Sequence, residues 1–337
     1  MKIAIHRNKV GFAQRWINYC EEQNISYKLV NCYANDIISQ LQDCDGLMWQ
    51  HSHRNPKDLL IAKQVLFALE HSGFKVFPDF NTNWHFDDKL AQKYLLEATN
   101  VPLVPSYVFF DKKEALAWVN KAKFPKVFKL SGGAGSSNVK LVNNVNDAKR
   151  TVRKAFGTGF LSYNPKDKLL DSFQKYLQGN TSFTNLLKSF VKVLLLPYYA
   201  MVSEKEKGYV YFQDYLPGND SDTRIIVIDG KAFALKRMVR NNDFRASGSG
   251  NFKYERVEFD ERCVQIAFDL TKKLKAQCLA YDFVFDRANN PLIVEISYGF
   301  VASVYDPCPG YWDESLNWHE ESFNPYGWMV ELMKKIS

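Results

Sequence analysis

No stretch of this sequence is apolar for long enough to cross a bilayer. Its most apolar window, Val193 to Val202, is interrupted by Pro197 and falls far short of a membrane span. The six cysteines (Cys20, Cys32, Cys44, Cys263, Cys278, Cys308) contain no Cys-x-x-Cys pair, which argues against structural zinc and predicts free thiols in a reducing compartment. There is no Lys/Arg run of five or more and no recognisable RNA- or DNA-binding motif. The net charge of +7 is dispersed, so it suits an anionic small ligand and excludes a nucleic-acid partner. Repeats and low-complexity tracts are absent. Met1-Lys2-Ile3-Ala4-Ile5-His6 starts directly as a strand with no signal-peptide apolar region, and the expectation is a cytoplasmic protein.

What is present is an ordinary globular composition, 46% hydrophobic and 24% charged, over 337 residues, enough for two or three lobes with real cores. The first hundred residues alternate strand-like and helix-like patterns: Lys2 to His6, Phe12 to Glu22, Ser26 to Val30, Asp36 to Leu41, Gly46 to Gln50, Pro56 to His71, Lys75 to Phe77. Such alternation predicts an open, mainly parallel α/β sheet over residues 1–86, with ligands at the carboxyl ends of its strands. A second unit, 87–210, carries a helix from Lys89, strands at Ser106 to Phe110 and Lys126 to Leu130, a glycine-rich loop and a Lys-rich helical insertion from about Gly157 to Lys207. A third, 211–337, carries strands at Tyr209 to Tyr215, Arg224 to Ile228, Lys231 to Val239, Ala280 to Asp286 and Leu292 to Ser297, with a helix from Asp260 to Lys275.

Three segments carry chemistry. The first is a strand ending in Lys129 that runs into Ser131-Gly132-Gly133-Ala134-Gly135-Ser136-Ser137. Glycines let backbone N–H groups approach a polyphosphate, and the lysine adds a fixed charge. No Gly-Lys-Ser/Thr follows and a strand comes next, so this is not a P-loop, and alone it reads equally as a flexible turn. The second is Tyr281-Asp282-Phe283-Val284-Phe285-Asp286 and Pro291-Leu292-Ile293-Val294-Glu295-Ile296-Ser297, two apolar strands joined by a polar turn. Asp282 and Glu295 interrupt those apolar runs. A buried carboxylate needs a partner or a cation, and Mg²⁺ takes one or two carboxylates; solvent-facing acids on a hairpin are the bland reading. The third is Lys236-Arg237-Met238-Val239-Arg240 running to Asp243-Phe244-Arg245, a basic strand and loop whose guanidiniums suit carboxylate or phosphate, or simply a solvated strand edge.

The order of these segments over roughly Asp87 to Phe300 resembles the ATP-grasp superfamily, closest to the ribosomal-protein glutamate ligase-type carboxylate–amine ligases. The resemblance implies an N-terminal open parallel α/β domain followed by two α+β lobes gripping ATP. It implies that Lys89 and Lys129 contact the nucleotide phosphates and that Gly132, Gly133, Gly135, Ser136 and Ser137 cover them. Gln213, Asp214, Tyr215 and Leu216 would form the hinge whose backbone meets the adenine edge, with Asp222 close to the family's next station. Asp282 and Glu295 match the metal-binding acids for Mg²⁺ or Mn²⁺. Ser297 stands where the family usually has Asn. Arg245, with Arg237 and Arg240, would steady the transferred phosphoryl group. The implied reaction is ADP-forming C–N ligation, in which a carboxylate becomes an acyl phosphate and an amine attacks it. Homodimers are common among such proteins.

The substrate side is less constrained. His51, His53, Arg54 and His85 lie near predicted strand ends or loops and could hold an anionic or sugar-like molecule, or be ordinary surface groups. The aromatic tail from Tyr305 through Trp312 to Trp318-His319 resembles that of ATP-grasp proteins encoded with bacterial surface-polysaccharide enzymes. Its rings suit stacking on a sugar, so the expectation is a uronic acid or other sugar-linked carboxylate; the same rings would also serve as packing. A rival expectation is an ATP-binding regulatory protein without ligase activity, favoured by Ser297.

Overall fold

A computed structural model of the chain describes residues 1–8, 11–52, 55–132, 138–161, 173, 182, 184, 205–240 and 243–335. The described residues fall into two compact units, one of 1–86, 94–103 and 216–337, the other of 87–93 and 104–215.

The first unit holds two sheets. β1 (Lys2–His6), β2 (Ser26–Val30), β3 (Gly46–Met48) and β4 (Lys75–Phe77) pair in parallel in the order β2-β1-β3-β4. α1 (Ala13–Glu22), α2 (Ile37–Gln40), α3 (Pro56–His71) and the short α4 (Phe80–Asn83) connect or follow these strands. Asn55 caps α3 by accepting from the Lys57 N–H, and Pro56 takes the first helical position, where no N–H is needed.

The larger sheet is built from β9 (Ser221–Ile228), β10 (Lys231–Met238), β11 (Phe252–Lys253), β12 (Cys278–Phe285), β13 (Pro291–Ser297), β14 (Tyr311–Asp313) and β15 (Trp318–His319). Its path is β13-β12-β9-β10-β14-β15, with β11 beside β10. The β9–β10 hairpin turns on Asp229 and Gly230, with φ of 48° and 71°, the left-handed pair that a two-residue hairpin requires. α8 (Glu261–Leu274) starts at Asp260, which accepts from the Arg262 N–H, and ends at Lys275 in the left-handed region. α9 (Pro325–Lys335) packs on α1. One apolar cluster joins Ile3, Ile5, Trp16 and Phe77 to Ile226, Phe233, Leu235 and Met329, so the parallel and antiparallel sheets share a core.

The second unit has the antiparallel sheet β5-β8-β6-β7, from β5 (Ser106–Phe109), β6 (Lys126–Lys129), β7 (Lys140–Val142) and β8 (Val210–Asp214). α6 (Lys112–Val119), capped by Asp111, and α7 (Val145–Ala155), capped by Asn144, supply Ala115, Val119, Ala148 and Val152 to a cluster with Phe128 and Phe212. α5 (Lys89–Ala98) runs through both units. The Lys-rich insertion lies largely outside the described residues. Among the described residues, no helix is long and apolar enough to cross a membrane.

Candidate active site

In the second unit, Lys129 ends β6 with its side chain buried, and Lys89 opens α5, also buried. Asp88 ties these together. Its Oδ1 caps α5 by accepting from the Leu90 and Ala91 N–H groups, both at 3.0 Å, and also accepts from Ser131 Oγ at 2.7 Å. The Lys89 N–H donates to Ser131 O at 3.0 Å, and the Ser131 N–H reaches Glu206 Oε2 at 3.0 Å and Tyr209 Oη at 2.6 Å. The start of the glycine loop and the turn of α5 that carries Lys89 are thus held on one carboxylate. Gly132 is the last described residue there; Gly133, Gly135, Ser136 and Ser137 lie outside the described residues, as do His53 and Arg54.

Of the residues expected to form the hinge, Gln213 and Asp214 end β8, which is flanked on both sides. Gln213 pairs with Ser106 and Val127 and is buried, its Nε2 donating to Ser106 Oγ at 3.1 Å. Asp214 accepts from Lys126 Nζ at 2.5 Å. Tyr215 and Leu216 follow the strand and are half-buried.

In the first unit, the sheet register brings four charged residues onto one face. Arg224 pairs bidentately with Asp282, through Nε at 2.5 Å and Nη2 at 2.7 Å. Arg237 grips Asp222 through Nε at 2.6 Å and Nη2 at 2.7 Å, and its Nη2 also lies 2.7 Å from Asp282 Oδ2. Two carboxylates and two guanidiniums make the quartet neutral. Burial would push Asp282 up, but the attraction of Arg224 and then Arg237 overcomes it and holds the carboxyl well below the usual range. Asp222 has only one close guanidinium and Asp282 as a like-charged neighbour, and burial leaves it raised.

Glu295 is the register partner of Asp282 on the next strand and is half-buried; Ser297 lies two residues on. Ser297 Oγ sits 3.0 Å from Gly299 O and accepts from the Gly299 N–H at 3.2 Å. The donors are all hard oxygens, as Mg²⁺ prefers. A carboxylate has about four acceptor positions. The guanidiniums use three of Asp282's, leaving one on Oδ1, so the set fits a cation held mainly by Glu295 with one oxygen from Asp282. Among the described residues, no group of three His, Cys, Asp or Glu side chains is close enough to hold a metal by itself.

The other arginines are placed differently. Arg245 folds back on Asp243, with Nε at 2.9 and 3.0 Å from the two oxygens and Nη2 at 2.7 Å from Oδ2. Arg240 Nη2 donates to the carbonyls of Ser247 and Gly248, each at 3.1 Å.

Tyr298, directly after Ser297, is fully buried, donating from Oη to His51 O at 3.0 Å and accepting from the His51 N–H at 3.1 Å. His51 Nε2 is 2.6 Å from Asn83 Oδ1, and both His51 and His85 are buried rather than displayed on a surface. Of the tail aromatics, Trp312 is a packing group. Trp312 is fully buried with ring centroids 4.5 Å from Trp318 and 5.8 Å from Phe259, while Tyr311 stacks on His319 at 4.9 Å. The expectation of open stacking faces is corrected for Trp312, because closing the sheet edge on α8 requires its area.

Arg224, which the sequence marks only as the start of a strand, is bound bidentately to Asp282. The signal was present: Asp222 and Arg224 are two apart on a strand, and the Asp229-Gly230 turn sets which residues face each other.

With one parallel and two antiparallel sheets, the chain has the ATP-grasp fold. A sequence family described as prokaryotic glutathione synthetase, ATP-grasp domain, matches residues 188–285. The alpha-aminoadipate–LysW ligase LysX of Saccharolobus solfataricus is 20% identical over 285 residues, 82% of this chain and 85% of the relative. Among solved structures, a RimK domain protein ATP-grasp from Sphaerobacter thermophilus superposes with a TM-score of 0.58 at 12% identity, over 99% of this chain and 100% of that one. The ATP-grasp ligase PsnB, complexed with minimal precursor, Mg and ADP, does so with a TM-score of 0.55 at 10% identity, over 99% and 97%. These proteins are what the chain is similar to.

Proposed function

We propose that this protein is an ATP-dependent ligase that activates a carboxylate as an acyl phosphate and joins it to an amine, releasing ADP. The observation that carries the reading is the strand register that sets Glu295 beside Asp282 and Asp282 beside Arg224 and Arg237. Paired carboxylates held by fixed guanidiniums on one sheet face suit a divalent cation, which would neutralise a transferring phosphoryl group in flight. The relatives support the same chemistry, since LysX is by name a ligase and the PsnB complex holds Mg and ADP.

In this reading Lys89 and Lys129 meet the phosphates, and the loop from Gly132 through Gly133, Gly135, Ser136 and Ser137 covers them. The backbone of Asp214 to Leu216 meets the adenine edge, while Gln213 is buried in the sheet behind it. Mg²⁺, or Mn²⁺, would rest on Glu295, with Asp282 and Ser297 assisting, and would neutralise charge on the phosphates. Arg224 and Arg237 orient toward that charge from fixed positions; Arg245 and Arg240 would first have to leave Asp243 and the loop carbonyls. Asp222 is assigned to holding Arg237 rather than to the nucleotide. Cytoplasmic placement belongs to the same proposal, supported by six cysteines that are all free and buried.

The finer form of the proposal is a uronic acid or sugar-linked carboxylate in polysaccharide biosynthesis. Its support from stacking faces is reduced by the burial of Trp312, and uronic acids enter the test as one arm. ADP release would be measured with Mg·ATP and uronic acids, nucleotide-linked uronic acids or amino acids, with and without amine acceptors. ADP formed only when both a carboxylate and an amine are present supports the ligase. ATP binding with no turnover across the panel favours the regulatory reading. Glu295→Gln is expected to lower turnover by about 10²–10³-fold, and unchanged turnover in Glu295→Gln would sink the site assignment.

A further inference from the structure

The first unit contains a cavity of about 320 Å³ between α1 and the segments around 305–308 and 322–326. Its lining includes one cation, Arg15, two anions, Glu22 and Asp306, and the rings of Tyr305, Phe323 and Tyr326. The nucleotide and metal assignments above use none of these residues.

Two features mark it as built for a ligand. Tyr326 is 3% exposed, and its Oη, buried at the cavity wall, has no hydrogen-bond partner among the described residues. A buried hydroxyl left unpaired costs about 1–3 kcal/mol, which a polar ligand at that position would recover. Arg15 Nη2 meets Asp306 Oδ2 at 2.6 Å, yet the two side chains are 42% and 46% exposed. An exposed pair of this kind contributes only about 0–1 kcal/mol, so its halves separate readily for other partners.

We infer that this cavity binds a small zwitterion of the α-amino acid class. The ligand carboxylate pairs with the Arg15 guanidinium and accepts from Tyr326 Oη. The ligand ammonium takes Asp306 and Glu22. A zwitterion offers a partner to each half of the Arg15–Asp306 pair it opens. A simple anion would face Glu22 and Asp306, and a simple cation would face Arg15. Phe323 and the Tyr326 ring, over which the Arg15 guanidinium carbon sits 5.6 Å from the centroid, give the ligand side chain an apolar wall. Tyr305, itself buried, lines this cavity on one side.

The inference is independent of the ligase reading and is tested without nucleotide. Calorimetric titration of the full chain would use L-alanine, L-glutamate and L-lysine, with acetate, ethylamine and glucosamine as single-feature controls. Saturable binding of at least one amino acid and of no control is expected, weakened about tenfold or more by Arg15→Ala and less by Tyr326→Phe. Asp306→Asn, at an exposed position, serves as a second variant if Arg15→Ala misfolds, and it too should weaken binding. The inference is overturned if no amino acid binds up to about 10 mM, if a control binds as well as the amino acids, or if the folded variants bind like the parent chain.

Discussion

Arg237 and Asp282 touch at 2.7 Å although β9 lies between their strands. The guanidinium reaches across Arg224's strand because Asp222, its own cross-strand partner, holds its other edge. Removing Arg237 would leave two carboxylates facing one arginine in a buried setting. Arg237→Ala is therefore expected to destabilise the fold by about 3–5 kcal/mol. Arg237→Ala combined with Asp222→Asn should recover part of that loss, because the orphaned acid is gone. Denaturant titration of the single and double variants checks this; equal stability of the two would show that Asp222 is not the group Arg237 neutralises.

His6 gives a pH signature. It is 4% exposed, its Nδ1 accepts from the Cys32 N–H at 3.1 Å, and burial pushes the imidazole down to about 4. The folded state thus keeps it neutral while the unfolded chain protonates near 6.5. Stability is full above 6.5 and falls as pH drops toward 4, by about 3 kcal/mol from this group, then levels. His6→Asn keeps a short acceptor and loses the titration. Its stability, lower at neutral pH, should show a shallower slope between pH 6.5 and 4; an unchanged slope would assign that loss to other groups.

Asp79 acts in the opposite direction. It caps α4 by accepting from the Thr82 N–H at 2.9 Å, and burial raises its carboxyl to about 6 despite that bond. The folded state prefers the protonated form, so this group weakens the fold above pH 6 and the penalty disappears as pH falls toward 4. Asp79→Asn keeps the cap and removes the charge. It should raise the melting temperature at pH 7 more than at pH 4, and a larger gain at pH 4 would reverse the assignment.

Gly327 is a packing position. A Cβ there would lie 2.4 Å from Tyr19 Cε2, where α9 crosses α1. Gly327→Ala is expected to cost about 1–3 kcal/mol by overpacking. Adding Tyr19→Ala should relieve the clash, visible as non-additive melting temperatures.

The order of strands and helices was legible because period-two and helical apolar patterns are local. The acids Asp282 and Glu295 were legible for the same reason, since charges inside apolar strands stand out. Their pairing with Arg224 was not, because a strand sequence does not say which neighbour lies on each side. For β9 and β10 the Asp229-Gly230 turn contains the answer, since residues equidistant from it face each other, as Asp222 and Arg237 do. The link from β12 to β9 has no such local key and emerges only from the assembled sheet. Burial of Trp312 and His85 was equally invisible, because aromatic and histidine side chains suit both a ligand groove and a core. α7 and α9 were not expected at all, although Asn144 and Pro325 mark their starts.

The shared core has a consequence for how the chain acquires its structure. Trp16 in α1 meets Met329 in α9 across 313 residues of sequence. The parallel sheet around β1 precedes α9 in the chain, yet one wall of its core is supplied only by α9. It cannot complete its packing as a free-standing early domain. The apolar face that Trp16 lends to this core therefore stays uncovered until the segment carrying Met329 is in place, a long-range closure that ties the folding of the parallel sheet to that of α9.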